Sequence, residues 1–204
     1  MHREILTQEQ DKLLPLVKKF SKNFGLVGGT AIALHIGHRE SIDFDLFSNE
    51  SFENGKIRRK LVDFGVYPRV IRDERGQYTL FVNGVQMTFF EYPYPIDFSI
   101  PFEDIVRIPD LLTLAAMKIF ALGRRAKWKD YADLYFILKD FHSIGNICEK
   151  AKEMFGGEFN ERIVREQLSY FDDINYSEEV TFLPGFETDQ ETIKSALLEW
   201  SLAR

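Results

Sequence analysis

The chain has 204 residues, 45% of them hydrophobic, enough to bury the core of one domain or two small ones. A single cysteine, Cys148, excludes an internal disulfide and a thiolate metal cluster, fits a reducing cytoplasmic setting, and reads as a packing residue. The formal charge of −6 argues against a nucleic-acid partner for the chain as a whole, but it is unevenly spread: residues 145–204 hold 6 basic and 13 acidic side chains, net −7, whereas residues 1–144 hold 20 and 19, net +1.

In chain order, MHREILTQEQDK is too charged for the apolar region of a signal peptide. Thr7 is placed to cap a first helix over much of residues 8–24, with Leu13, Leu14, Val17 and Phe20 at helical spacing and Pro15 as an interruption. A short strand at 25–27 leads into Gly28, Gly29 and Thr30, and AIALHI then reads as helix. SIDFDLF reads as strand and residues 54–64 as helix. VYPRVIR, YTLFVN and VQMTFFEY read as strands, the last two joined through Asn83-Gly84, a hairpin signal. From Pro109 the pattern turns helical: PDLLTLAAMKIFAL, WKDYADLYFILKDF and about three more helices. The longest apolar run, LLTLAAM at 111–117, stops at Lys118, far short of the roughly 20 residues that span a bilayer, so no membrane partner is expected. The expected architecture is α/β (α+β), with a sheet domain at 1–105 and a helical part at 106–204 packed against it.

Alternate residues of a strand share a face, so Asp43 and Asp45 are expected to project together while Ile42, Phe44 and Leu46 face the core. Paired carboxylates on a rigid strand are costly without a cation between them. A divalent metal answers that need, because Mg²⁺ accepts one or two carboxylates plus the oxygens of a phosphate substrate. Upstream, Gly28 and Gly29 let backbone approach a ligand closely. The amides opening the next helix, with the Thr30 hydroxyl, suit a phosphate. Arg39 is placed either to brace a carboxylate or to meet the substrate. His38 reads as structural, and His35 as facing the fold.

Lys118 interrupts an apolar helix, so its ammonium must reach a pocket, a carboxylate or water. Arg125 and Lys129 follow seven and eleven residues on, which on an unbroken helix sets all three within roughly 20° of one line, a candidate triphosphate site. Asp130 and Asp133, at i and i+3, share a helical face and are read as supporting groups. Trp128, Tyr131, Tyr135 and Phe136 read as packing groups. KIRRK at 56–60, Arg69, Arg72, Arg75 and RRAKWK at 124–129 form local basic patches able to attract phosphate, although surface cations usually serve only to keep helices solvated.

The stretch GGT…GHR.S.DFDLF, within residues 25–47, and K…(A)L.RR…KD..DL, within 111–137, resemble the abortive-infection AbiEii/AbiGii toxin nucleotidyltransferases, a branch of the polymerase-beta-like nucleotidyltransferase fold. The resemblance implies a mixed sheet with flanking helices and transfer of a nucleoside monophosphate from a nucleoside triphosphate to an acceptor hydroxyl. It further implies Mg²⁺ or Mn²⁺ on Asp43 and Asp45, an RNA end such as that of a transfer RNA as the leading acceptor with a protein hydroxyl behind it, and a cognate antitoxin. Under it Asp43, Asp45 and Lys118 are catalytic, and Gly28, Gly29, Thr30, Arg39, Arg125 and Lys129 bind nucleotide. Such enzymes usually bring a third acid from a neighbouring strand. Here Thr88 takes that place, leaving Glu91 after a bulge or no third acid at all. That gap motivates the alternative of a nucleotide-binding or interaction module that retains the fold without catalysis.

Overall fold

The computed structural model describes residues 1–122 and 126–203. After one turn of 3₁₀ helix at Arg3–Ile5 comes α1 (Gln8–Lys18), opened by a capping box: the Thr7 hydroxyl accepts from the Gln10 amide, and the Gln10 side chain accepts from the Thr7 amide. Pro15 lies within α1 on its exposed side. The lost backbone bond is tolerated because Leu13, Leu14, Leu16 and Val17 bury the opposite side.

β1 (Gly25–Val27) runs straight into α2 (Gly28–Ile36), and after a loop comes β2 (Asp43–Ser48). There follow α3 (Asn54–Asp63), β3 (Arg69–Glu74), β4 (Gln77–Val82) and β5 (Val85–Glu91). These strands form one mixed sheet in the order β1-β2-β5-β4-β3, in which β2 and β5 are parallel and the other neighbours antiparallel. The β4–β5 turn is the expected hairpin: Asn83 and Gly84 both have positive φ, 51° and 83°, as the tight primed turn requires. Sequence reading did not anticipate the small hairpin of β6 (Ile100–Phe102) and β7 (Val106–Ile108). Its strands are three residues each, too short to show a period.

One sheet face, carrying Phe44, Leu46, Tyr78, Leu80, Met87 and Phe89, is buried in the core, with Phe20 and Phe24 of the α1–β1 segment in edge contact with Phe89 at 4.8 and 5.2 Å. Ile42 corrects the expected core face: it precedes β2, where alternation no longer applies, and is 60% exposed. The second half holds α4 (Leu111–Leu122), α5 (Trp128–Asp140), α6 (Ile144–Phe155), α7 (Glu161–Leu168) and α8 (Gln190–Leu202). α4 and α5 pack on α2, and one hydrophobic cluster continues from the sheet into these helices. Trp128, Tyr131, Tyr135 and Phe136 are buried there, as is Cys148. Among the described residues no helix is long and apolar enough to cross a membrane.

The two sides of the β2 segment should respond differently to truncation. Leu46→Ala is expected to lose about 2–5 kcal/mol in urea denaturation, and Ile42→Ala less than about 0.5 kcal/mol. A large loss at Ile42 would contradict the observed facing.

Candidate active site

β2 alternates half-buried Asp43, Asp45 and Phe47 with buried Phe44, Leu46 and Ser48, so the two carboxylates stand together on the face away from the aromatic core. The β1–α2 junction reaches the same place. Gly28 has φ +73°, and a β-carbon there would overlap Asp45 Oδ2, so the glycine serves both the left-handed backbone and the close approach of the carboxylate. α2 starts without a side-chain cap, and an anion beside its first turn is favoured by the free amides and the helix dipole. A β-carbon on Gly29 would come 2.5 Å from Arg39 Nη2, so this second glycine makes room for a guanidinium. Thr30 is buried; its hydroxyl donates to the Asp43 carbonyl and lies 2.8 Å from Ser41 Oγ. The second and third residues of the GGT motif thus hold the start of β2.

Behind the carboxylate pair lies a buried ion cluster. Arg39 grips Asp133 with two bonds, Nε to Oδ1 at 2.7 Å and Nη2 to Oδ2 at 3.0 Å. His38 Nε2 donates to Asp133 Oδ1 at 2.8 Å, and Lys118 Nζ sits 2.7 Å from Asp130 Oδ1 and 2.8 Å from Asp133 Oδ2. Burial pushes the Asp133 carboxyl up, but the charges of Arg39 and Lys118 and the bonds from His38 and Arg39 outweigh it and hold the group well below the usual carboxylate range. Burial likewise lowers the Lys118 ammonium, yet Asp130 and Asp133 leave it raised. Burial dominates for His38, whose pKa is lowered, so it is the neutral ring that donates through Nε2.

At the head of α5, Lys129 Nζ lies 3.8 Å from Asp43 Oδ2 and also pairs with Glu178, which pairs in turn with Lys127. Burial raises the Asp43 pKa, Lys129 opposes that, and Glu178 adds to it. Burial would raise Glu178 as well, but its bonds to the two lysines bring it down to about 2.

Several sequence expectations fall elsewhere. Arg125 lies outside the described residues. The straight line through Lys118 and Lys129 does not form, because Ala126 and Lys127, which lie between α4 and α5, are not helical. Lys118 is only 7% exposed and is committed to Asp130 and Asp133. Thr88 stands beside Asp45, and the β2–β5 register continues without a shift to Glu91 beside Ser48, so no bulge turns Glu91 toward the carboxylate pair. Arg58, Arg72 and Lys56 of the first basic patch pair with Asp73, Glu74 and Glu53. Sequence reading missed Lys127 and Glu178: Lys127 sat unremarked in a basic run, and Glu178 lies in an aperiodic loop.

No group of three or more His, Cys, Asp or Glu able to hold a metal occurs among the described residues. Two neighbouring carboxylates with phosphate oxygens still suit Mg²⁺, which keeps few protein ligands. The family model described as nucleotidyl transferase AbiEii toxin, type IV toxin-antitoxin system, matches residues 16–199. The chain belongs to this family. It is therefore a nucleotidyltransferase with the family's mixed-sheet fold. An uncharacterized protein of Aquifex aeolicus is 27% identical over 206 residues, covering 96% of this chain and 97% of that protein. The nucleotidyltransferase toxin MenT4 of Mycobacterium tuberculosis superposes with a TM-score of 0.64 at 13% identity, over 95% of this chain and 80% of MenT4. JHP933 of Helicobacter pylori gives 0.57 at 14% identity, over 96% and 91%. At these identities the two structures establish likeness of fold.

The two kinds of aspartate in this AbiEii site should differ in sign. Asp133→Asn leaves buried cations short of a counter-charge and should cost about 3–5 kcal/mol in urea denaturation. A carboxyl whose folded pKa is raised destabilises the fold once ionised above that pKa. Asp43→Asn should therefore leave the melting temperature of the metal-free protein at neutral pH unchanged or higher, and a large drop would make Asp43 a structural group.

Proposed function

We propose that the chain moves a nucleoside monophosphate from a nucleoside triphosphate to an acceptor hydroxyl, with Mg²⁺ or Mn²⁺ held by Asp43 and Asp45. The observation that carries this reading is the placement of both carboxylates on one strand face, beside Lys129 and against the opening turn of α2. When bound, the ion would neutralise phosphate charge between the two carboxylates.

The acceptor hydroxyl oxygen forms a bond to the α-phosphorus and gives up its proton to solvent water as the bond from that phosphorus to the pyrophosphate oxygen breaks. Charge then builds on the departing pyrophosphate, where, among the described residues, Lys129 beside Asp43 and Lys127 next to it through Glu178 supply positive charge. Arg125 is a further proposed phosphate contact from the sequence pattern. In this reading the amides of Gly28 and Gly29, in the opening turn of α2 beside Asp45, bind a phosphate oxygen. Thr30, Arg39 and Lys118 act as positioning residues in this reading: Thr30 holds the Asp43 backbone, while Arg39 and Lys118 lock Asp133 and Asp130 behind it. The leading acceptor is an RNA end such as that of a transfer RNA, and the family description supports a toxin paired with an antitoxin. The second reading, a nucleotide-binding module without turnover, is favoured by one feature: Thr88 stands where a third acid would complete the pair.

Incubation with each α-labelled nucleoside triphosphate, Mg²⁺ and total RNA decides between them. Label should appear on RNA with the wild type and fall by a factor on the order of 10² or more in Asp43→Asn and Asp45→Asn. Nucleotide binding without transfer to any RNA or protein would favour the second reading.

A further inference from the structure

Residues 171–189, between α7 and α8, contain an arch pinned on both sides of the site. On one side, the Asn175 amide donates to Ala126 O at 2.8 Å and Trp128 N donates to Asn175 O at 3.1 Å. On the other, Glu40 N donates to Thr181 O at 2.9 Å and Leu183 N to His38 O at 3.0 Å. The arch therefore joins the head of α5 to the segment that precedes β2, the two segments that build the site. Between the pins, Tyr176, Ser177 and Glu179 are exposed, while Glu178 turns inward. Its Oε1 meets Lys127 and its Oε2 meets Lys129, one oxygen to each ammonium. Two oxygens of a phosphate would engage a pair of converging lysines in the same way.

We propose that Glu178 is a resident counter-anion that competes with the polyphosphate of substrate and product for Lys127 and Lys129, and so sets the affinity of the site for both. This rests on the reading that Lys129 binds phosphate. With Glu178 engaged, its single charge offsets half of the charge on the two lysines and its two oxygens occupy the ammonium hydrogens that a polyphosphate would use. An arriving triphosphate displaces the carboxylate. The arch can yield without losing its pins, because the backbone bonds are made by Asn175, Thr181 and Leu183, on either side of Glu178. On departure of pyrophosphate, Glu178 returns to the lysines and opposes rebinding. A metal-ligand role for Glu178 would have the opposite effect on affinity.

The apparent dissociation constant rises by the inverse of the fraction of molecules whose lysines are free, so engagement for nine-tenths of the time weakens binding about tenfold. The test is calorimetric titration of the full chain with inorganic triphosphate and with pyrophosphate, with and without Mg²⁺. Glu178→Gln and Glu178→Ala should each bind both anions about tenfold more tightly than the wild type, by the same factor, because the same competitor has been removed. Glu179→Gln, which removes an equal charge one residue away, should bind as the wild type does, and Lys129→Met about tenfold more weakly. If Lys129→Met binds like the wild type, the phosphate-binding reading falls and the inference with it. If Lys129→Met weakens binding while both folded Glu178 variants match the wild type, the inference alone is overturned. Weaker binding by the Glu178 variants in the presence of Mg²⁺ overturns it in favour of a metal-ligand role.

Discussion

The grip of Arg39 and Lys118 on Asp133, with Asp130 and His38 completing the set, is the constraint on which the site depends. Each of these side chains is almost wholly out of water, a placement that costs several kcal/mol per ion unless the charges balance and the hydrogen bonds are well formed. Among the described residues Arg39 and Lys118 face Asp130 and Asp133, and Asp133 accepts from three neighbours, while His38 Nδ1 is left without a hydrogen-bond partner. The cluster joins three distant pieces of chain: the segment before β2, the middle of α4 and the first turns of α5. A hydrophobic contact would tolerate sliding among these elements. A bidentate guanidinium–carboxylate pair does not, so the register of β2 against the helices is fixed where Asp43 begins.

The site is assembled outward from that lock. Gly29 admits Arg39 because it has no β-carbon, and Thr30 and Ser41 fasten the Asp43 backbone. Gly28 bends the chain so that the opening turn of α2 meets Asp45. α5 contributes in two directions: Asp130 and Asp133 point into the cluster, while Lys129 points to the carboxylate pair. A short motif in sequence thus does two physical jobs, close approach at the first glycine and strand anchoring at the next two residues.

How much of this was legible follows from the range of the interactions. The helices were readable because apolar residues recur at a helical period, and the β4–β5 hairpin because Asn83-Gly84 demands positive φ. Asp43 and Asp45 were readable because strand alternation is local. Ile42 was misplaced because the strand starts one residue later. The helical line from Lys118 to Lys129 failed at the break between α4 and α5, and the commitment of Lys118 to aspartates 12 and 15 residues away depends on how those helices fold back. Glu178 was invisible: it sits in an aperiodic loop, and its partners lie about 50 residues upstream.

Asp43 and Asp45, set side by side by this lock, are the proposed holders of one divalent ion together with a nucleotide's phosphates. The most direct measurement is the loss of the free Mn²⁺ electron paramagnetic resonance signal on titration into the full chain with inorganic triphosphate, in wild type and in the Asp43→Asn, Asp45→Asn double variant. One ion should bind per chain in the wild type, with the protein-dependent binding lost in the double variant. Saturable binding of the same stoichiometry and affinity in both proteins would contradict that assignment.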